Sequence, residues 1–140
     1  RILVSLVDVE KPGDMTAGQG GWILLVDDEP EVTVFYSRVA EALNLTHYTA
    51  ASCEEARKIV DERGRPRLVI TDLQLGNSSG LDLLQHLRAS FGEKLPVIVV
   101  SGNSDEKLME KTRAAGATSY LTKPVGRRKL FAEIREILAG

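Results

Sequence analysis

The sequence predicts a doubly wound α/β domain, a five-stranded parallel sheet packed with five helices. Short apolar runs alternate along the chain with longer segments of helical period. Three of the runs, Ile23–Val26, Leu68–Ile70 and Val97–Val100, are apolar at nearly every position, as strands covered on both faces are. Parallel neighbours also need crossover helices of fixed hand, which this alternation supplies.

The strands are expected at Trp22–Val26, Leu45–Ala50, Leu68–Thr71, Pro96–Val100 and Thr118–Leu121. Between the first two, Val32, Phe35, Tyr36, Val39 and Leu43 fall on one helical stripe, with Pro30 suited to the first turn. Ser52-Cys-Glu-Glu55 has the spacing of a capping box and opens a helix that buries Ala56, Ile59 and Val60. Leu81, Leu84 and Leu87 stripe the third helix, and Leu108, Met109 and Thr112 more weakly the fourth. The last carries Leu130, Ile134, Ile137 and Leu138. No internal repeat and no low-complexity tract interrupts the pattern.

A chain of 140 residues with 43% apolar and 27% charged residues suits one globular domain with a single core. The formal net charge of -2 gives no electrostatic reason to expect nucleic acid or an anionic membrane as partner. One cysteine, Cys53, excludes an internal disulfide and fits a reducing, cytoplasmic setting. The early apolar run Ile2–Val7 is far short of the about 20 residues a membrane span needs, and it lacks the small-residue cleavage site of a signal peptide. It reads as an extra strand or the tail of a preceding domain, and Lys11–Gly21, rich in Gly and small polar residues, as a linker. Residues 1–20 are therefore taken as an extension and 21–140 as the domain. With no initiator methionine, the chain is expected to be either a stand-alone domain or a piece of something longer. It contains no DNA-binding or enzymatic output segment after the last helix.

In doubly wound folds the site lies beyond the carboxyl ends of the strands, where strand order reverses. Asp27 and Asp28 follow the first run, Asp72 the third, Ser101 ends the fourth, and Lys123-Pro124 lies just past the fifth. Three carboxylates packed together repel, and stay ionised at low cost only with a cation among them. Oxygen-only ligation with room for water suits Mg2+. A lysine and a hydroxyl nearby would neutralise and hydrogen-bond phosphoryl oxygens. Asp72, on the central strand, is placed to attack phosphorus as a carboxylate nucleophile and form an acyl phosphate.

Taken in order, Ile23-Leu-Leu-Val-Asp-Asp-Glu-Pro30, Leu68-Val-Ile-Thr-Asp-Leu-Gln-Leu75, Ser79-Gly-Leu-Asp-Leu83, Val97-Ile-Val-Val-Ser-Gly102 and Tyr120-Leu-Thr-Lys-Pro124 resemble the receiver domain of two-component response regulators. The resemblance spans residues 21–140 and implies a CheY-like, flavodoxin-like sheet of strand order 2-1-3-4-5. It gives Asp72 the phosphoacceptor role, Asp28 a direct contact to Mg2+, Asp27 a contact largely through water, and the Gln74 backbone carbonyl a further ligand position. Ser101 resembles the switch hydroxyl, Tyr120 the switch aromatic that turns inward with it, and Lys123 the phosphoryl-binding lysine. The bond to Pro124 is cis in many relatives. Implied partners are a sensor histidine kinase or histidine phosphotransfer protein, and an output partner or attached domain on the surface of the fourth helix, fifth strand and fifth helix.

Two departures stand out. Gly76, in Gly76-Asn-Ser-Ser-Gly80, occupies a position where relatives usually carry proline, which implies a more flexible loop. The switch hydroxyl is serine where threonine is commoner. Gln74 and Asn103, at positions that tune water access in the family, are neutral amides and no obvious base for rapid hydrolysis. His47, His86 and Cys53 read as surface or packed residues, and Arg127-Arg128-Lys129 as a solvated face with a contact role open. The expected function is a signalling module that only gains and slowly loses a phosphoryl group. The competing readings are a partner-binding pseudo-receiver, which would lack Asp72, Lys123 or the acidic pair, and a Mg2+-dependent aspartyl phosphohydrolase, which wants a carboxylate where Gln74 stands. A nucleotide-binding flavodoxin-like module is weaker still, since no Gly-rich phosphate loop follows the first strand.

Overall fold

The computed structural model describes residues 21–139, so the strand expected at Ile2–Val7 and the linker after it lie outside the described residues. The chain runs β1 (Trp22–Val26), α1 (Pro30–Ala42), β2 (Thr46–Ala50), α2 (Cys53–Arg63) and β3 (Leu68–Thr71). A small hairpin follows, β4 (Gln74–Leu75) with β5 (Ser78–Ser79). The remainder is α3 (Gly80–Phe91), β6 (Val97–Ser101), α4 (Glu106–Ala114), β7 (Ser119–Thr122) and α5 (Arg127–Ala139). The main sheet has the order β2-β1-β3-β6-β7 and is parallel throughout. Counting only its five strands, this is the expected 2-1-3-4-5 order.

Strand alternation divides the core into two layers. Leu24, Val26, Val69, Val97 and Val99 face α2, α3 and α4, whereas Ile23, Leu25, Leu68, Ile70, Ile98 and Val100 face α1 and α5. That is why the central runs are apolar at every position: both faces are covered. Each fully buried leucine contributes on the order of 1.5–3 kcal/mol of transfer free energy, and on α3 the buried leucines are Leu83, Leu84 and Leu87. Leu81 is only partly buried, so the stripe on this helix is broader than its expected line.

Local capping agrees with the sequence with one shift. Ser52 Oγ accepts from the Glu55 N–H at 3.1 Å, but Glu55 Oε1 accepts from Ala51 N–H, one residue before the cap. Ser79 Oγ caps α3 by accepting from Leu81 N–H, and Asp105 Oδ2 caps α4 from Leu108 N–H. α1 has no side-chain cap bond and relies on Pro30, whose ring fixes the first turn without needing a donor.

The lower edge of the domain is tied by one cation. The Arg88 guanidinium donates to the carbonyls of Gly92, Leu95 and Gly116, joining the end of α3 to the entries of β6 and β7. Arg88→Met keeps the packed stem but strands these carbonyls; it is expected to lower stability by about 2 kcal/mol, read by urea unfolding.

Candidate functional site

The sheet ladder continues one rung past the strands and holds each site residue by its backbone. Asp27 N–H donates to Ala50 O, Asp72 N–H to Val26 O, and Lys123 N–H to Ser101 O, at 3.1, 3.1 and 2.8 Å. Because Val26 pairs with Thr71, Asp27 and Asp72 stand on adjacent strands at the next rung, at the β1/β3 junction where strand order reverses.

Asp27 is 1% exposed and Asp72 7%, while Asp28 is open to solvent. Carboxylate oxygens of Asp27, Asp28 and Asp72 lie within 4.8 Å of one another, an all-oxygen set of the kind that holds a hard divalent cation. Lys123 Nζ donates to Asp27 Oδ2 and to Asp72 Oδ2, each at 2.9 Å, and lies 3.5 Å from Glu29 Oε1. Burial raises the Asp27 carboxyl above the usual carboxylate range. The Glu29 N–H and Lys123 oppose the rise, and the charge of Asp72 adds to it. For Lys123, burial alone would lower the pKa, but the hydrogen bonds and charges of Asp72 and Asp27 outweigh it and raise it.

The segment after Asp72 is ordered by close backbone contact. Gly80 N–H donates to Leu73 O at 2.8 Å, and a Cβ on Gly80 would stand 2.0 Å from the Asp72 carbonyl oxygen, so no other residue fits. Gln74 N–H donates to Asp72 Oδ1 at 3.2 Å, and Thr71 Oγ1 to Asp72 O at 2.9 Å. The segment around Gly76 forms the β4–β5 hairpin, with Gly76 at φ +65 in its turn. Ser78 Oγ donates to Leu75 O and accepts from Cys53 N–H, fastening the hairpin to the start of α2.

At the other wall, Ser101 is buried and its Oγ accepts from Asn103 N–H at 3.1 Å. Tyr120 points inward on the edge strand, 7% exposed, with its hydroxyl donating to the Asn103 carbonyl. The Lys123–Pro124 bond is cis. Together Asp28, Glu29, Asp72, Gln74, Asn103 and Lys123 line an open cavity of about 750 Å3.

A family model for the response regulator receiver domain matches residues 23–135. The chain belongs to this family. Among curated relatives, this receiver domain is 29% identical over 123 residues to the phosphate regulon transcriptional regulatory protein PhoB of Pseudomonas aeruginosa, covering 85% of this chain and 52% of that one. It is 35% identical over 118 residues to the transcriptional regulatory protein KdpE of Mycobacterium tuberculosis, covering 81% and 49%. The chain thus spans about half the length of these two relatives. Among solved structures, a CheY-like receiver domain protein from Methanospirillum hungatei superposes with a TM-score of 0.78 at 26% identity, covering 85% of this chain and 94% of that one. Receiver domains are signalling modules that work with histidine kinases and output domains, and the family generally uses Mg2+.

Asp27, Asp28, Asp72, Gln74, Ser101, Tyr120 and Lys123 all reach the same edge of this receiver domain. Glu29, Thr71, Gly80 and the backbone of Asn103 had been given no role. Glu29 was signalled only by its place after the acidic pair, and Gly80 by standing in the motif before Leu81. His47 Nδ1 lies 3.2 Å from Leu45 O, His86 lies 3.7 Å from Asp61, and Cys53 is buried, so all three stand apart from the site. Arg127, Arg128 and Lys129 are exposed.

Removing the ammonium exposes the charge problem. In Lys123→Met the Asp27 carboxyl, already held above its ordinary value by burial, loses the ammonium that opposes the rise and moves further up. The folded protein then binds more protons than the unfolded chain, and stability falls as pH rises through that window. Melting curves are expected to show the variant losing stability more steeply than wild type as pH rises through the raised carboxyl range, with Mg2+ restoring part of the loss.

Proposed function

We propose that this receiver domain accepts a phosphoryl group on Asp72 and changes conformation in response. The observation that carries the reading is the Lys123 ammonium held between Asp72 and Asp27 at the β1/β3 junction. An Asp72 carboxylate oxygen forms the new bond to phosphorus. The phosphorus–nitrogen bond of a phosphohistidine breaks, its electron pair stays on the imidazole, and that nitrogen takes up a proton. The donor is a sensor histidine kinase or a histidine phosphotransfer protein, in a cytoplasmic setting.

Mg2+ fits the donor set, with Asp27, Asp28, Asp72 and the Gln74 backbone carbonyl as the residues that would hold it. When bound it supplies positive charge to the phosphoryl oxygens. Lys123 is already within reach of Asp72 and neutralises a further oxygen. Ser101 keeps its acceptor bond from Asn103 and still has its O–H to donate. Catalysis is positioning and charge neutralisation rather than proton transfer.

Loss of the phosphoryl group is slow in this reading. Asn103 Oδ1 is engaged by the Asp105 N–H, and neither Asn103 nor Gln74 is a base. A phosphohydrolase would want a carboxylate at Gln74, so turnover is not part of the proposal. Ser101 and Tyr120 form the switch, and the surface of α4, β7 and α5 meets an output partner or attached domain. Residues 21–140 are the receiver domain and 1–20 an extension.

Intact mass after incubation with a small-molecule phosphodonor and Mg2+ tests the site. A single phosphoryl adduct is expected on wild type, dependent on Mg2+ and lost in Asp72→Asn; an adduct that survives the substitution places the chemistry elsewhere. Amide spectra are expected to shift in α4 and β7 as well as in the pocket when a phosphoryl mimic binds, and shifts confined to the pocket would remove the switch.

A further inference from the structure

Tyr36 is 1% exposed, and its hydroxyl has no hydrogen-bond partner among the described residues. An unpaired buried hydroxyl destabilises a fold, and phenylalanine would fill the same space without it, so the oxygen calls for a reason. The geometry directs it at the acidic site. α1 begins at Pro30, straight after the Asp27–Glu29 turn, and helical side chains lean back toward the amino terminus. Tyr36 starts about 9 Å of helix rise below that turn and reaches toward it.

The layers agree. Tyr36 packs with Ile23, Leu25 and Leu121, and strand alternation puts Asp27 and Lys123, each two residues further along, on that same face. Burial first, and then the charge of Asp27, raises the phenol pKa; Lys123, Asp72 and Glu29 act on it more weakly. The charged groups that reach Tyr36 are those of the site, and the hydroxyl stays a neutral donor.

We propose that Tyr36 is a positioning residue for the loaded site: its hydroxyl donates to the Asp27 carboxylate, directly or through one water, when Lys123 moves from Asp27 to the phosphoryl group. The inference rests on the reading of Asp72 as phosphoacceptor. With Lys123 in place, Asp27 Oδ2 accepts from Nζ and Oδ1 from Glu29 N–H, both at 2.9 Å, so Asp27 does not need Tyr36. Once Lys123 turns to a phosphoryl oxygen, the buried Asp27 carboxylate loses its ammonium donor and has room for a further one beside the contact it would make to Mg2+. A phenol can supply the bond without adding charge to a site that must also hold a cation. The hydroxyl thus weakens the unloaded state and strengthens the loaded one, which is the differential a switch requires.

Tyr36→Phe and wild type are compared in two measurements, urea unfolding without ligand and binding of beryllofluoride with Mg2+ by calorimetry. The variant is expected to be at least as stable as wild type unloaded, yet to bind beryllofluoride about tenfold more weakly. Unchanged binding overturns the role. A parallel fall in stability and binding makes Tyr36 a packing residue and overturns it equally. Wild type that neither binds beryllofluoride nor gains a phosphoryl adduct sinks the Asp72 reading and this inference with it. Wild type that loads normally, beside an unaffected variant, sinks this inference alone.

Discussion

The Lys123 ammonium, shared at 2.9 Å between Asp27 and Asp72, is the interaction on which the upper edge of the domain depends. Two like charges about 4 Å apart near a protein surface repel by about 4 kcal/mol at an effective dielectric of 20, and a single cation between them reverses the sign. Such a buried pair adds little to net stability, because desolvation offsets most of the attraction. Its consequence is chemical. One ammonium serves three clustered carboxylates, with Glu29 close by, so the site keeps a negative excess that favours a second cation beside Asp28. The same ammonium, once drawn to another anion, uncovers the charge it was hiding.

Precision in that cluster comes from the sheet. Asp27 and Asp72 are far apart in the chain, yet the β1–β3 register sets them on one rung, and Lys123 reaches them from the edge strand beside Ser101. Because both faces of the sheet are packed, a shift of any strand would displace a buried apolar set, so register is fixed by the core and the site inherits it. Gly80 supplies the remaining constraint: its missing Cβ lets α3 close against the carbonyl of Asp72.

Most of this was legible in the sequence because each signal is local. Unbroken apolar runs mark doubly covered strands, and the polar residue just after each run marks the site. What escaped depends on distant partners. The stretch Gly76–Gly80 reads as a loose loop, since Gly replaces a stiffening proline. It folds as a hairpin that Ser78 ties to the Cys53 N–H in another element, and no local pattern encodes that bond. Leu83 fell off the expected stripe because α3 is covered by α2 as well as by the sheet, a packing choice made in three dimensions. The side Tyr120 takes was likewise undecidable from an edge strand alone, and is set by the Asn103 carbonyl.

Asn103 also explains how a change at the pocket would travel. Its N–H donates to Ser101 Oγ, its carbonyl accepts from Tyr120, and its side chain accepts from the N–H of Asp105, the cap of α4. Under the proposed function, Ser101 cannot advance toward a phosphoryl oxygen without either losing the Asn103 N–H or bringing it along. If it brings it along, Tyr120 and the first turn of α4 move with the same peptide unit. The route is therefore mostly main chain, which makes it tolerant of side-chain identity at position 103. Inward Tyr120 already has a partner in Asn103, so phosphorylation need not create that position. It has only to stabilise the arrangement of Ser101 and Asn103 that goes with it, by the difference in free energy between the two states.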